Sequence, residues 1–369
     1  MTRLRFAAVV TLAASIPGLA LAVGARKAAP PPPPPAPPPQ VTLMLTTAAP
    51  DHGWELKLTN AGTVPVRVVA DPRLYSFEIT PAPGSAPPPA APRRRGHAAP
   101  GGPVRCALPA DMVPTTDTER TLTLVAGRSW TVSVDPRLFC FSAAQGAALA
   151  DGATVTATFG WTPNRASPPY AVAPITSDAD AGVGPARAIS AAPVPLGAAP
   201  SADGGVEASA DGAAPHEAPL TDAYPVHLKV SMADRLDVSR VFEQTVTVTV
   251  ANQGDRPVRS LFSPATIGFT VQTPRGITMH CGAERAVTIL PELAGSLAPR
   301  GRTSVSLDLG AACPDVFRKP GLYRVWPRFD ASHASGPPSY YTGQAIGEPM
   351  YLRVRVGEDP LPPPRVDPL

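Results

Sequence analysis

Charge is scarce in this chain: 17% of its 369 residues are charged and the formal balance is only +3. That is too little to hold a polyanion, and no basic face with interleaved aromatic residues occurs, so nucleic acid is excluded as a partner. Beyond residue 22 no apolar run is long enough to cross a bilayer, and no stretch keeps a helical period. Catalytic constellations are missing too. The six histidines, His52, His97, His216, His227, His280 and His333, are scattered and form no pair at metal-ligand spacing. No nucleophile elbow, metalloprotease helix, phosphate loop or dinucleotide fingerprint is found. The chain therefore reads as no enzyme, with no catalytic, cofactor-binding or metal-binding residues and no cofactor. An enzyme of unrecognised type, built from unrelated loops, stays open as a third reading.

Proline and glycine, by contrast, are abundant. The 51 prolines and 30 glycines make long stretches unfit for helix or central strand, because proline lacks a backbone donor and fixes φ. At the start, Arg3 and Arg5 precede an apolar run from Phe6 to Ala22 that ends in Ala20-Leu21-Ala22. This has the order of a secretory signal, expected to be cleaved after Ala22, with Ala25 the competing site. Pro17-Gly18 would break the alternative, an uncleaved membrane helix. No cysteine precedes Cys106, so a lipid-anchored lipoprotein is not expected, and no stable transmembrane segment should remain after signal cleavage. Residues 30–39 are nine prolines and one alanine, a polyproline II rod, so 23–40 reads as a proline-rich spacer. Residues 198–224 have almost no bulky apolar side chains and cannot order themselves by burial. They read as a disordered linker, and 358–369 as a proline-rich tail.

The segments between hold an internal repeat. Asn60-Ala-Gly62-Thr-Val-Pro65-Val66-Arg67 returns as Asn252-Gln-Gly254-Asp-Arg-Pro257-Val258-Arg259. Alternating runs precede both copies, Trp54-x-Leu56-x-Leu58 and Val246-x-Val248-x-Val250, and Ser76-Phe77-Glu-Ile79 matches Gly268-Phe269-Thr-Val271 at the same offset. A glycine turn and strand then lead to Asp135 or Asp308, each expected to cap a turn. Asn-x-Gly is expected to supply positive φ, and Pro65 and Pro257 to stand at strand starts. Thr245–Val250 and Leu352-Arg-Val-Arg-Val356 alternate strictly, so one face should pack and the other meet water. The pattern predicts an all-β chain of two tandem immunoglobulin-like β-sandwich domains, 41–197 and 225–357. Each should fold alone across a fairly small interface. Cys106 and Cys140 in the first copy match Cys281 and Cys313 in the second, so the duplication predicts disulfides Cys106–Cys140 and Cys281–Cys313. Four reduced, buried cysteines are the alternative. An insertion near 81–103 holds Arg93-Arg94-Arg95, a triplet that either binds an anion or is simply solvated.

The order of alternating strand, Asn-x-Gly-x-x-Pro-Val, phenylalanine strand, glycine turn and the late Pro320-Gly321-Leu-Tyr323-Arg-Val325 resembles the bacterial intracellular proteinase inhibitor family. The resemblance implies an immunoglobulin-like fold and, as one functional expectation, a secreted or periplasmic proteinase inhibitor. The chain departs from that family in its cysteine pairs and export signal. The principal expectation is an exported, periplasmic or secreted, non-enzymatic binding or structural protein of the bacterial envelope, whose partner is a protein or a cell-envelope polymer.

Overall fold

Alternation in the sequence becomes alternation in space. Val41, Leu43 and Leu45 are buried while Thr42, Met44 and Thr46 face solvent, and Val246, Val248 and Val250 repeat the pattern in the second copy. A computed structural model describes residues 37–47, 53–82, 102–115, 120–161, 169–175, 183–197, 227–242, 244–283, 286–357 and 365–367. The signal-like segment, most of the spacer, the Arg93–Arg95 triplet and the linker lie outside the described residues. The chain is all-β, and Pro37–Leu369 forms one compact unit with two lobes.

Lobe one contains β1 (Val41–Thr46), β2 (Trp54–Asn60), β3 (Val66–Val69), β4 (Tyr75–Thr80), β5 (Val104–Ala107), β6 (Thr121–Leu124) and β7 (Ser129–Val134). Short helices α1 (Pro136–Phe139) and α2 (Ala143–Ala147) follow, then β8 (Thr154–Gly160), β9 (Val172–Pro174), β10 (Ala188–Ser190) and β11 (Val194–Pro195). One sheet has the order β1-β2-β7 and a second β10-β8-β4-β5, with β11 also on β8; β6-β3-β9 forms a small third. The first two face each other through aromatic contacts. Trp54 of β2 meets Phe77 of β4 edge-on at 5.1 Å, and Trp130 of β7 meets Phe159 of β8 at 5.8 Å. Such pairs add about 0.5–1.5 kcal/mol beyond the area they bury.

Lobe two begins with β12 (Leu228–Ser231), β13 (Arg235–Val238), β14 (Thr245–Asn252), β15 (Val258–Ser260), β16 (Ile267–Gln272), β17 (Thr278–Gly282), β18 (Val287–Thr288) and β19 (Gly295–Leu297). It ends with β20 (Arg302–Asp308), α3 (Leu309–Ala312), β21 (Gly321–Asp330), β22 (Ala334–Ser335), β23 (Gln344–Ile346) and β24 (Met350–Val354). Its sheets have the orders β12-β14-β20 and β13-β24-β21-β16-β17, with two short ribbons beside them. The lobes match strand for strand in their centres. Phe77 pairs with Cys106 on β5, and Phe269 pairs with Cys281 on β17. Each lobe buries its own apolar cluster.

The repeated Asn-x-Gly has a different role from the one expected. Neither Gly62 nor Gly254 takes a positive φ; the asparagine side chain holds the turn instead. Asn60 is 0% exposed. Its Nδ2 donates to Val64 O and Leu124 O at 2.9 Å each, and its Oδ1 accepts from Gly62 N at 3.0 Å. Asn252 repeats this, donating to Arg256 O at 2.7 Å and Leu297 O at 3.1 Å while accepting from Gly254 N at 3.0 Å. A buried amide is retained because each of its groups is satisfied.

Disulfides join Cys106 to Cys140 and Cys281 to Cys313, with Cα separations of 4.6 and 5.1 Å. Each closes within its own lobe, in equivalent places. Each ties the edge strand β5 or β17 to the residue that follows α1 or α3.

Candidate functional site

The site grows from the turn after β7. Asp135 caps α1, accepting from Arg137 N at 2.9 Å, and Asp308 caps α3, accepting from Ala311 N at 2.7 Å. Proline at the first helical position suits α1, since no donor is needed there. Arg137 folds back to pair with Asp135 at 2.8 Å and donates to the Tyr351 hydroxyl of lobe two at 2.9 Å. Burial works against the Arg137 charge, but the Asp135 carboxylate and the Tyr351 hydroxyl outweigh it and raise its pKa.

A four-residue helix cannot satisfy its own last carbonyls, and lobe two supplies a donor to one of them and another to a carbonyl just beyond the helix. Arg353 Nη1 donates to Leu138 O at 3.0 Å, and Arg235 Nη1 donates to Phe141 O at 2.7 Å. The Arg353 guanidinium also stacks 4.4 Å from the Phe141 ring centroid, while Asp237 grips its other edge. Arg355 completes the seam with Asp111 at 2.9 Å. Strand β13, which brings Arg235 and Asp237, runs parallel to β24 and extends the sheet. The expected alternation of Leu352–Val356 is thus broken: Arg353 does not meet water but is 7% exposed, because Asp237 of its own lobe neutralises it while the Leu138 carbonyl and the Phe141 ring of lobe one cover it. The interface is a specific polar and aromatic seam, which the repeat gave no means of anticipating.

Beside the seam lies a cleft of ≈ 320 Å³ with walls from both lobes. Leu138 and Phe139 line it from lobe one, Pro274 and Leu322 from lobe two, and Asp135 and Arg324 add opposite charges. Gly321 also belongs to its wall, with φ +143° and space for a Cβ only 2.7 Å from Pro274 Cγ. Any other residue would strain the backbone and push into that wall. An apolar pocket with a few convergent polar groups is the usual form of a ligand site.

The four cysteines serve structure: none is free. Of the histidines, His280 bonds Thr270 Oγ1 at 3.1 Å, and His52, His97 and His216 lie outside the described residues. Among the described residues no group of three or more His, Cys, Asp or Glu is placed to hold a metal, and no helix is long and apolar enough to cross a membrane. Arg137, Arg235, Tyr351 and Arg353 were not legible as site residues, since an arginine on a strand reads as a solvent-facing position. Comparison with known proteins finds no matching family and no matching curated sequence.

Proposed function

We propose that the chain is an exported, non-enzymatic binding protein of the bacterial envelope, whose two immunoglobulin-like lobes hold a partner in the cleft between them. The observation that carries this reading is the two-lobed wall of the cleft, kept in place by the Arg137–Tyr351 and Arg353–Phe141 contacts. Two intralobe disulfides suit an oxidising compartment, in keeping with the signal-like start. The partner is an envelope protein or polymer that presents an apolar group to Leu138 and Leu322.

Two measurements test it. N-terminal sequencing of the exported protein should begin at Val23; a chain that keeps residues 1–22 refutes export by cleavage. Ser133 is an exposed residue of β7 that lines the cleft, so Ser133→Trp should fill it without disturbing the cores. Retention of envelope material by the native chain but not by this folded variant is the expected result. Equal retention by both would refute the cleft as the site. Inhibition of one enzyme in a protease panel, unchanged in Ser133→Trp, would favour the inhibitor reading instead.

A further inference from the structure

The outer edge of β7 is occupied by a later segment of the same chain. β7 is an edge strand of its sheet, and such a strand offers a row of unpaired backbone groups to any extended segment. Residues 365–367 lie along it. Asp367 N donates to Ser129 O at 3.0 Å, and Arg128 Nη1 donates to Asp367 O at 3.0 Å. Thr131 Oγ1 donates to the Asp367 carboxylate at 2.6 Å. Val366 packs against the core of lobe one. The docked segment is thus read by backbone, charge, hydroxyl and apolar contact at once.

We propose that this edge is a docking site for an extended peptide carrying an apolar residue followed by aspartate, closed in the isolated chain by residues 365–367. The grammar is that of strand addition, in which main-chain bonds hold the segment and side chains select it. The tail sequence suits that form: Asp367 precedes Pro368, and a residue before proline is driven to extended backbone. Lobe two provides an internal contrast. Asn60 N bonds Arg128 O and Asn252 N bonds Gly301 O, so the place of Arg128 is taken by Gly301, which has no guanidinium. The guanidinium at the start of β20, on Arg302, stands one position further along, at the place that Ser129 holds on β7.

A fluorescein-labelled peptide of residues 361–369, titrated by anisotropy, tests the proposal. A chain ending at Asp359 should bind it saturably. The full chain should bind at least about tenfold more weakly, because its tethered tail competes at millimolar effective concentration. Arg128→Ala in the shortened chain, and Asp367→Ala in the peptide, should each weaken binding by about tenfold or more, as loss of a charge-assisted bond does. Thr131→Val, nearly isosteric with the native residue, should also weaken binding and guards against misfolding of the arginine variant. Equal binding by the full and shortened chains, no binding by the shortened chain, or binding indifferent to these replacements would overturn it.

Discussion

Replacing Asn60 with alanine should unfold lobe one at markedly lower denaturant while leaving lobe two nearly untouched. The side chain makes three hydrogen bonds from a fully buried position. The bond to Leu124 O is wholly inside the protein, and a buried carbonyl deprived of its partner costs about 1–3 kcal/mol. The bonds to Val64 O and Gly62 N lie at a turn that water reaches, so each counts only its net worth, about 0.5–1.5 kcal/mol. Together the loss should be about 4 kcal/mol, within a range of roughly 2–6. Trp54, Trp130 and Trp161 belong to lobe one and only Trp326 to lobe two, so tryptophan fluorescence reports chiefly on the perturbed lobe. In urea, Asn60→Ala should move that transition, and Asn252→Ala should move it far less while shifting the far-ultraviolet circular dichroism. Asn60→Asp should be no better at neutral pH, since a carboxylate would then face two carbonyls. That opposition raises its folded pKa, so the deficit should narrow as pH falls. A loss below about 1 kcal/mol in Asn60→Ala would mean that water replaces the amide, and the clamp would not be the reason the motif recurs.

Further predictions concern the cores and the bridges. Replacing Cys106 and Cys140 together by alanine should lower lobe-one stability by about 3–4 kcal/mol, as expected for closing a loop of this length, read by the same urea transition. Tyr75→Phe should raise thermal stability, by about 1 kcal/mol, because the buried Tyr75 hydroxyl has no hydrogen-bond partner among the described residues; a loss would reveal a partner. Alkali should unfold the protein through its tyrosines. Burial pushes the Tyr323 hydroxyl up to about 12 from 10.0 and raises Tyr75 further. The unfolded chain therefore ionises first, and stability, level below pH 10, should fall as pH rises toward 12. Tyrosinate absorbance and circular dichroism should change together; ionisation of all tyrosines near pH 10 in the folded protein would contradict the burial.

The repeat was legible because it is written in residues whose roles are local. Val246, Val248 and Val250 alternate along one strand, and Asp135 and Asp308 cap the turn that follows them at once, all within a few positions of their sequence cues. The asparagines were legible as markers but not in their role, since their partners Leu124 and Leu297 lie more than forty residues away. The seam was hidden for the same reason. Arg353 on an alternating strand looks solvent-facing until the carbonyl of Leu138 and the ring of Phe141 are brought against it. The tail was read from composition alone, and proline content gave no sign that Val366 and Asp367 would find an edge on lobe one.

The two chemically identical bridges carry unequal mechanical duty. Cys140 sits between Leu138 and Phe141, the two residues whose carbonyls receive the arginines of lobe two, so the first bridge rivets the bearing surface on which the second lobe rests. Its counterpart Cys313 lies in a depression lined by lobe-two residues alone and, among the described residues, bears no such load. Cutting the first bridge should therefore slacken the joint between the lobes as well as weaken its own lobe, whereas cutting the second should weaken only the lobe that holds it. Small-angle scattering of the Cys106→Ser/Cys140→Ser and Cys281→Ser/Cys313→Ser variants, both under folding conditions, should show a broadened distribution of interlobe distances in the first alone. In a compartment where thiols and disulfides exchange, the angle between the lobes would then answer to the oxidation state of a single cysteine pair.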